Sequence, residues 1–257
     1  MQINVLSHLP SLYSNQRFLQ EGINLNLPIT IVPPLRENLT KLSQASLCLL
    51  RLGEYSYFET MTLLQQLPLR YFNSLESFQL ARDKWATYEF LLSLNICPHS
   101  QLTPLPLPCL VKLRHSLQGR GVFLVQTPEE LLQIQNQHQN IFYQQFIATA
   151  AGTDYRLLFI KNQYIGAIQR HNSTSFKANI HQGGQASPWL APTPLIEQGT
   201  EIASKLNLHY CGLDFIRTEN GEFLFLEANA SLGFEAFEKA TQINFAKLLL
   251  ESLTHEF

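Results

Sequence analysis

The sequence has little charge and lacks the patterns that mark secreted or membrane-spanning proteins. Only 15% of its 257 residues are charged and the formal net charge is −2, so bulk electrostatics favour neither a nucleic-acid nor a membrane partner. No stretch approaches the roughly 18 consecutive apolar residues that a membrane span needs. The first residues carry no basic leader or small-residue cleavage site, so we interpret them as a strand rather than a signal peptide.

Cysteines are few and lie far apart in the sequence. Cys48, Cys97, Cys109 and Cys211 form no Cys-x-x-Cys pair, and no histidine stands at metal-ligand spacing, which argues against a zinc site. Unpaired thiols are typical of a reducing compartment. The sequence therefore predicts a soluble, cytoplasmic protein.

Apolar residues, by contrast, make up 45% of the chain and include 17 Phe and 9 Tyr, enough to bury a core. The first third predicts strands at Ile3–Leu6, Ile29–Val32 and Leu47–Leu50, with a helix over residues 15–22. This order suits a small open α/β layer. Arg51 follows the third strand directly, at the edge where open α/β sheets usually bind ligands.

The remaining two thirds predict a second and a third group of elements. Prolines concentrated between residues 97 and 108 mark a boundary between subdomains. The pattern predicts helices over residues 77–94, from about Thr127, over residues 197–206 and over residues 234–253. It predicts antiparallel hairpins over residues 110–125, 154–169 and 212–228.

The last of these hairpins carries three oxygen-bearing side chains. Asn220-Gly221 favours a two-residue type I′ turn, in which Glu219 faces Glu222 and, counting outward, Asp214 faces Glu227. Asn229 leaves the same face of its strand as Glu227, because side chains in a strand alternate. Carboxylate and amide oxygens of this kind suit magnesium or manganese.

The alternative is that these carboxylates lie on a solvated surface, as most Asp and Glu residues do. The apolar run from Phe223 to Leu226 that leads into Glu227 argues against this alternative, because it predicts a strand that is buried on both faces.

A second candidate feature is Lys112, which lies inside the apolar run 110–113. A buried lysine requires a charged partner. The loop that follows contains Gln118-Gly-Arg-Gly121 and offers backbone N–H groups to an anion. By themselves these residues are a weak signal, since Gly-x-Gly is frequent in ordinary turns.

Taken in order, ten motifs resemble the ATP-grasp superfamily, in particular the RimK-like branch that contains a ribosomal-protein glutamate ligase and the lysine-biosynthesis ligases. The resemblance covers nearly the whole chain. The motifs occupy residues 12–17, 51–53, 81–84, 111–122, 144–147, 152–156, 167–170, 179–184, 212–214 and 227–233.

The resemblance implies an α/β protein with an ATP-grasp fold, in which ATP lies between two α+β subdomains. A small N-terminal open α/β domain, the pre-ATP-grasp domain, would occupy residues 1–76. The central and the C-terminal ATP-grasp subdomains would occupy residues 77–145 and 146–257.

The resemblance also implies roles for individual residues. Lys84 and Lys112 would contact the phosphates, the backbone at Gln145 and Phe146 would read adenine, and Asp154 would hold the ribose. A further nucleotide-contacting segment would comprise Lys177, Ala178 and Asn179. Asp214, Glu227 and Asn229 would hold Mg2+ or Mn2+. The substrate and the transferred phosphoryl group would be contacted by Arg51, Arg156, Arg170, Asn229, Ser231 and Gly233, with Arg156, Arg170 and Lys112 acting in catalysis.

The sequence departs from the family pattern at four positions. Gln145 stands where Glu is common, Lys177 and Gln182 replace arginines, and Leu232 replaces a proline. The changes at Gln182 and Leu232 put the acceptor site in question.

The activity implied by the resemblance is ATP-dependent ligation of a carboxylate to an amine through an acyl phosphate. The substrates would be an amino acid such as glutamate and a protein, peptide or small-molecule acceptor, and the protein could form a homo-oligomer. The alternatives are a non-catalytic nucleotide-binding paralogue, a kinase-like phosphotransferase and a structural α/β protein. No Ser-His-Asp or Cys-His pattern indicates a covalent nucleophile.

Overall fold

The computed structural model describes residues 2–53, 57–178 and 183–254, which form three β-sheets with helices packed against them. Each sheet is built from its own stretch of chain, in the order N-terminal, central and C-terminal. Mixed helices and strands confirm the predicted α/β class.

The N-terminal sheet is parallel, with strand order β2-β1-β3-β4. Its strands are β1 (Ile3–Leu6), β2 (Ile29–Val32), β3 (Leu47–Leu50) and β4 (Arg70–Tyr71), and its helices are α1 (Tyr13–Asn24), α2 (Arg36–Leu39) and α3 (Tyr57–Gln65). Every residue of β1 and β3 is buried, as the continuous apolar runs require of central parallel strands. The three predicted strands are confirmed, and the predicted helix is slightly longer than expected.

The helix predicted over residues 77–94 is wrong, because the chain forms two helices there. They are α4 (Leu75–Arg82) and α5 (Lys84–Leu91), and a short 3-10 turn, Leu92–Leu94, follows. Asp83 separates them in an extended conformation, and its Oδ1 accepts hydrogen bonds from the N–H groups of Trp85 and Ala86 at 3.0 and 3.1 Å. An aspartate that caps a new helix satisfies N–H groups that would otherwise have no partner.

The central sheet has strand order β5-β8-β6-β7 and is antiparallel. Its strands are β5 (Ser100–Gln101), β6 (Cys109–Leu113), β7 (Val122–Val125) and β8 (Ile141–Gln145). The predicted hairpin of β6 and β7 is confirmed. So is the helix start at Thr127, which forms a capping box with Glu130 at the head of α6 (Pro128–Gln137). Strand β5 lies within the proline-rich segment and was not predicted.

The C-terminal sheet is antiparallel, with strand order β11-β10-β9-β12-β13. Its strands are β9 (Thr153–Ile160), β10 (Gln163–His171), β11 (Gln185–Trp189), β12 (Tyr210–Arg217) and β13 (Phe223–Asn229), and α7 (Thr193–Lys205) precedes β12. Both predicted hairpins and the helix are confirmed, whereas β11 was not predicted.

The single helix predicted over residues 234–253 is also wrong. The structure has α8 (Glu235–Thr241) and α9 (Phe245–Thr254). Gln242 ends the first helix in the left-handed conformation, with φ of 60°. A left-handed residue reverses the chain at a helix end, so the apolar face of α9 can turn towards α1.

The N-terminal and C-terminal sheets share hydrophobic cores. One cluster includes Leu50 of β3, Phe78 of α4 and Phe215 of β12, and another includes Phe18 of α1 with Leu249 of α9. A smaller cluster lies under the central sheet. The domain boundaries at residues 76 and 145 therefore stay a prediction, because a shared core does not show which units fold alone. No helix in the described part of the chain is long and apolar enough to span a membrane.

Candidate active site

The turn between β12 and β13 differs from the predicted one. Thr218 N–H donates to the Glu222 carbonyl at 2.8 Å, and Gly221 N–H donates to the Thr218 carbonyl at 3.0 Å. These bonds close a three-residue loop in which Gly221 has φ of +87°, a conformation that glycine adopts without strain. The predicted two-residue turn, with Glu219 facing Glu222, is therefore wrong.

The predicted pairing of Asp214 with Glu227 is nevertheless correct. The longer loop moves the register by one residue, so that Phe215 pairs with Phe225. A β-bulge then adds one residue, Leu226, to β13 before Asp214 pairs with Glu227. The bulge compensates for the loop because it places two residues of one strand opposite one residue of the other.

The side chains of Asp214, Glu227 and Asn229 meet on one face of the C-terminal sheet. Asn229 Nδ2 lies 3.4 Å from Asp214 Oδ2 and 3.5 Å from Glu227 Oε1. Asp214 is buried, whereas Glu227 and Asn229 are half-buried. Strand β13 itself is only partly buried, so the expectation of burial on both faces is wrong. The half-buried side chains of Glu227 and Asn229 thus lie next to the buried carboxylate of Asp214.

Two arginines neutralise the buried carboxylates beside this group. Arg156 donates from Nε and Nη2 to the two oxygens of Asp214, both at 2.6 Å. Arg170 donates to Asp154 at 2.6 and 2.8 Å and to Asp214 at 2.9 Å. Arg170, Asp154 and Asp214 are buried. Two guanidinium groups therefore balance two carboxylates, as burial of charge requires.

The pKa values of the two carboxyl groups shift in opposite directions. Burial raises the pKa of Asp214, but the charges of Arg156 and Arg170 outweigh burial and lower it to about 2. Burial raises the pKa of Asp154, and the neighbouring Asp214 charge contributes in the same direction. Burial disfavours the charged form, whereas a nearby opposite charge favours it. Asp214 is consequently the more firmly ionised of the two.

Two lysines approach Glu227 from the central part of the chain. Lys84, the first residue of α5, has its Nζ 3.5 Å from Glu227 Oε2 and donates to the Ser116 carbonyl at 2.5 Å. Lys112 is buried in β6, and burial lowers its pKa to about 8, with Glu227 opposing this shift and Lys84 contributing to it. These two amino groups and one carboxylate concentrate positive charge beside the oxygen-bearing side chains.

A cleft between the central and C-terminal sheets joins most of these residues. Together with the solvent at its opening, it contains about 770 Å3 of open space. Nine of the predicted site residues line it, namely Lys112, Gln145, Phe146, Asp154, Arg170, Lys177, Ala178, Asp214 and Glu227. Apolar side chains fill much of the remaining wall, including those of Leu110, Val122, Ile147, Phe176, Ile216 and Leu226. A cleft with apolar walls and a few charged groups is the usual form of a small-molecule site.

The mouth of the cleft is bridged by a contact between two loops. Lys177 Nζ donates to the Gly119 carbonyl at 2.8 Å and lies 5.4 Å from the centre of the Phe176 ring. Gly119 belongs to the glycine-containing loop between β6 and β7. The contact joins the central and C-terminal parts of the chain across the cleft.

Other predicted residues lie away from the cleft lining. Buried Arg51 donates to the Leu232 carbonyl and, at 2.5 Å, to Ser14 Oγ. Ser231 is half-buried and Gly233 is exposed, in the turn that follows β13. Arg51 therefore connects the N-terminal sheet to this turn.

Two of the predictions cannot be placed. Asn179 and the substituted Gln182 lie outside the described residues. Sequence reasoning also missed Gln144, a buried polar residue that lines the cleft. Its place in the motif over residues 144–147, directly before the predicted adenine-reading residues, was the available signal.

The donor set at the hairpin fits a divalent cation that prefers oxygen. Across residues 2–53, 57–178 and 183–254, no three His, Cys, Asp or Glu side chains form a metal cluster; the third oxygen-bearing side chain of this group is the amide of Asn229. A carboxylate has about four acceptor positions. On Asp214 the arginines occupy three of them, and Asn229 Nδ2 approaches the fourth at 3.4 Å. Rotation of the Asn229 amide would remove this donor, so that oxygens of Asp214, Glu227 and Asn229 can serve a hard cation such as Mg2+.

The sequence of this chain matches the RimK-like ATP-grasp domain over residues 61–253. The chain belongs to the RimK-like ATP-grasp family. Its relatives include a probable alpha-L-glutamate ligase of Haemophilus ducreyi, 30% identical over 98% of this chain and 98% of the relative. A probable alpha-L-glutamate ligase of Legionella pneumophila is 28% identical over 98% of this chain and 94% of the relative.

Solved structures of low sequence identity share the ATP-grasp fold with this RimK-like chain. D-cycloserine synthetase DcsG superposes with a TM-score of 0.79 at 12% identity, covering 99% of this chain and 98% of that one. ATP-grasp ligase PsnB, complexed with a precursor variant, Mg and ADP, has a TM-score of 0.76 at 16% identity, covering 99% and 97%. The fold implied by the ten sequence motifs is confirmed.

Proposed function

We propose that this RimK-like protein is an ADP-forming ligase that joins a carboxylate to an amine. The observation that carries the proposal is the cleft in which Lys112, Asp214 and Glu227 lie beside an apolar wall. An apolar wall suits a purine base, and the charged end suits a triphosphate with its cation. Family membership and the names of the relatives support the same activity.

ATP would bind with its phosphates at the lysines. Lys84 and Lys112 supply positive charge near Glu227, and Lys177 contributes a third amino group at the mouth of the cleft. Adenine would lie against the backbone of Gln145 and Phe146, the ribose near Asp154, and the segment of Lys177, Ala178 and Asn179 over the nucleotide. Nearby positive charge stabilises phosphate groups most strongly where water is excluded.

Asp214, Glu227 and Asn229 would hold Mg2+ or Mn2+. Such a cation would supply positive charge that neutralises the negative charge developing during phosphoryl transfer. The arginine pair keeps the Asp214 carboxylate ionised and fixed in direction. The protein thus presents at least one oriented, permanently charged oxygen ligand.

A carboxylate requires activation because its delocalised charge makes it a poor electrophile. In the proposed reaction a substrate carboxylate oxygen attacks the γ-phosphorus of ATP, and the bond to the β-phosphate oxygen breaks, which releases ADP. The amine nitrogen then attacks the acyl carbon, phosphate leaves, and the nitrogen loses a proton. Lys112 and Arg170 act on the transferred phosphoryl group as fixed positive charges.

The substrates would approach from the end of the cleft near the hairpin. Arg156 retains partial exposure, with 13% of its side chain accessible, and a planar guanidinium suits a carboxylate. Asn229, Ser231 and Gly233 would border the acceptor. Arg51 would hold their turn in place through its hydrogen bond to the Leu232 carbonyl. The relatives favour glutamate as the amino acid and leave the acceptor open as a protein, a peptide or a small molecule.

We also place the protein in a reducing compartment such as the cytoplasm. Cys48, Cys97, Cys109 and Cys211 are all free thiols, and three of them are buried. Burial raises the pKa of Cys48 and Cys97 to about 12, which keeps these thiols protonated and unreactive.

The test is amino-acid-dependent release of ADP. The purified protein is incubated with ATP, Mg2+ and cell extract, each of the twenty amino acids is added in turn, and mass spectrometry identifies any acceptor that gains mass. We expect ADP release stimulated by glutamate, together with an amide product. Accumulation of a phosphorylated product without an amide would indicate a kinase, and nucleotide binding without ADP release would indicate a non-catalytic protein.

A matched pair of variants connects this activity to the site. Glu227→Gln removes the charge of a proposed cation ligand and should abolish ADP release. Glu222→Gln changes an exposed residue of the same hairpin and should leave the rate unchanged. Substantial turnover in Glu227→Gln would contradict the proposed cation site.

A further inference from the structure

Tyr210, the first residue of β12, lies beyond the end of the neighbouring strand β13. Gly212 pairs with Asn229, the last residue of β13. Counting two residues outward along both strands puts Ser231 opposite Tyr210, but the chain has left the sheet in a turn by then. Only 1% of Tyr210 is exposed, and a buried backbone N–H or carbonyl without a partner is destabilising. Another group must therefore pair with Tyr210.

The side chain of Asn73 supplies this partner. Its Oδ1 accepts from the Tyr210 N–H at 3.2 Å, and its Nδ2 donates to the Tyr210 carbonyl at 2.9 Å. A side-chain amide carries the same kind of donor and acceptor as a peptide group, so Asn73 pairs with Tyr210 as a residue of an antiparallel strand would. Asn73 is itself buried, with 2% exposed. It therefore occupies the place beside Tyr210 that Ser231 would otherwise take.

Asn73 and Arg51 together hold the segment of residues 230–233, which we call the acceptor turn. Asn73 Nδ2 lies 3.4 Å from the Ala230 carbonyl, and Arg51 donates to the Leu232 carbonyl. Arg51 directly follows β3 and Asn73 lies two residues beyond β4, so both leave the same edge of the parallel N-terminal sheet. The N-terminal sheet thus binds two alternate carbonyls of a turn that emerges from the C-terminal sheet.

The neighbours of Asn73 in sequence fix its position. The Phe72 ring stacks on the Tyr210 ring, with 5.8 Å between the ring centres and 18° between the planes. Ser74 caps α4, and its Oγ accepts from the Ser77 N–H at 3.1 Å. Because both neighbours are held, the Asn73 amide reaches Tyr210 and Ala230 from a rigid base.

We propose that Asn73 is a positioning residue for the acceptor. By taking the place of Ser231 beside Tyr210 and holding the Ala230 carbonyl, it keeps the acceptor turn out of the sheet and next to the cation ligands. Ser231 and Gly233, which we assign to the acceptor, would leave the site if this turn moved. The inference rests on the proposed function, because that function assigns the acceptor to this turn.

The first experiment compares the unaltered protein with Asn73→Ala. ATP, Mg2+ and glutamate are kept saturating, cell extract is the source of acceptor, and ADP release is measured while the amount of extract is varied. If the turn occupies its position only a tenth of the time, the half-saturating amount of extract rises on the order of tenfold. The rate at saturating extract should change little, because a bound acceptor holds the turn in place.

Binding of ATP completes this comparison. The affinity for ATP with Mg2+, measured by calorimetry without extract, should be the same in Asn73→Ala as in the unaltered protein. The lysines that we assign to the phosphates lie in α5 and β6 and make no contact with Asn73. An unchanged half-saturating amount of extract in Asn73→Ala would overturn the inference.

Asn4→Ala is the matched control for a merely structural effect. Asn4 lies in β1 of the same sheet, is 4% exposed, and donates to Ser46 Oγ at 2.8 Å. Ser46 precedes β3, at the end of that strand opposite to Arg51. Asn4→Ala should also lower the stability to urea, but it should leave the half-saturating amount of extract unchanged. An equal rise in Asn4→Ala would show that lost stability is the cause, which would overturn the positioning role.

Asn73→Ser keeps the test valid if Asn73→Ala does not fold. Its hydroxyl can pair with Tyr210, but one hydrogen cannot serve the carbonyls of both Tyr210 and Ala230. The half-saturating amount of extract should therefore rise severalfold in Asn73→Ser, and no rise would overturn the inference. Absence of ADP release by the unaltered protein would overturn the proposed function and the inference with it. ADP release with equal half-saturation in the unaltered protein and the Asn73 variants would overturn the role of Asn73 alone.

Discussion

Arg156 and Asp214 form a paired, two-point contact inside the C-terminal sheet, with both N–O distances at 2.6 Å. The two residues are directly opposite each other on strands β9 and β12. Asp214 also accepts from Arg170 at 2.9 Å. One carboxylate therefore contacts two guanidinium groups, and a change at Asp214 affects more charges than a change at Arg156, which contacts Asp214 alone.

Asp214→Asn should destabilise the protein more than Arg156→Met. The first change leaves two guanidinium groups to share Asp154, whereas the second leaves Asp214 paired with Arg170. Breaking a buried ion pair from one side costs about 3–5 kcal/mol. We expect the free energy of unfolding, measured with urea, to fall by an amount near the lower end of this range for Asp214→Asn. The fall should be smaller for Arg156→Met.

Glu219→Gln provides the control for this comparison, because Glu219 is exposed in the loop of the same hairpin. Its unfolding free energy should equal that of the unaltered protein within the error of the measurement. A larger loss in Arg156→Met than in Asp214→Asn would show that Asp214 is not the centre of the cluster.

Asp83 should contribute stability that is lost in acid. Burial raises its pKa, but hydrogen bonds from Arg114 and the Ala86 N–H outweigh burial and lower it. Because the pKa is lower in the folded state, the contribution is fully present above the unfolded value of about 4 and is lost as the pH falls through the folded pKa. Asp83→Asn should cost about 1 kcal/mol at pH 7 and less at pH 2.

Asp83→Ala separates the helix cap from the ion pair. Asn can still accept from the N–H groups of Trp85 and Ala86, whereas Ala cannot. Asp83→Ala should therefore cost about 1 kcal/mol more than Asp83→Asn, and this extra cost should persist in acid. Unfolding curves recorded from pH 2 to pH 7 test both expectations, and a pH-independent loss in Asp83→Asn would contradict the ion-pair contribution.

Gly121→Ala should disturb the position of Lys84 through the loop between β6 and β7. A Cβ at Gly121 would lie 2.6 Å from Ser116 Cβ and 2.8 Å from Leu113 Cβ. Neither atom can move without its backbone, and the Ser116 carbonyl accepts from Lys84 Nζ. We expect a loss of about 1–3 kcal/mol in stability and weaker binding of ATP by calorimetry. At Gly53 a Cβ would meet nothing within 4 Å, so Gly53→Ala should change neither quantity.

Lys177→Met should loosen the contact that bridges the mouth of the cleft. The change removes the hydrogen bond to the Gly119 carbonyl, which contributes about 1 kcal/mol. The equilibrium constant for opening of the loop should therefore rise about fivefold. Trypsin should cut after exposed Arg120 several times faster, as measured by the appearance of that fragment. Lys205→Met, on the surface of α7, is the control and should leave the rate of cleavage at Arg120 unchanged. If Lys177→Met also leaves this rate unchanged, the contact between Lys177 and Gly119 does not hold the loop.

Much of the fold follows from local sequence, because continuous apolar runs and capping residues act over a few positions. The strands β1 and β3 and the helix start at Thr127 were predicted from such signals and are confirmed. The two overlong helices show the limit of periodicity. Asp83 and Gln242 fit a helical pattern, but Asp83 is extended and pairs with the distant Arg114, and Gln242 adopts a left-handed conformation at the end of α8.

The site shows the same division between local and distant interactions. Alternation along β13 sufficed to put Glu227 and Asn229 on one face, and the pairing of Asp214 with Glu227 was correct even though the predicted turn was wrong. The bulge that restored this pairing has no marker in the sequence. Strand register depends on side chains packed along the whole hairpin rather than on the turn alone.

The sequence by itself determined the family, the three groups of elements and the residues with oxygen donors, because each depends on residue type and short spacing. Only the tertiary structure decided which charges meet. Arg156 and Arg170 neutralise Asp214 and Asp154, and Arg51 contacts the turn at Leu232, since strands distant in sequence lie side by side. Burial then makes unpaired charge costly, so the partners of each group follow from the packing of the sheets.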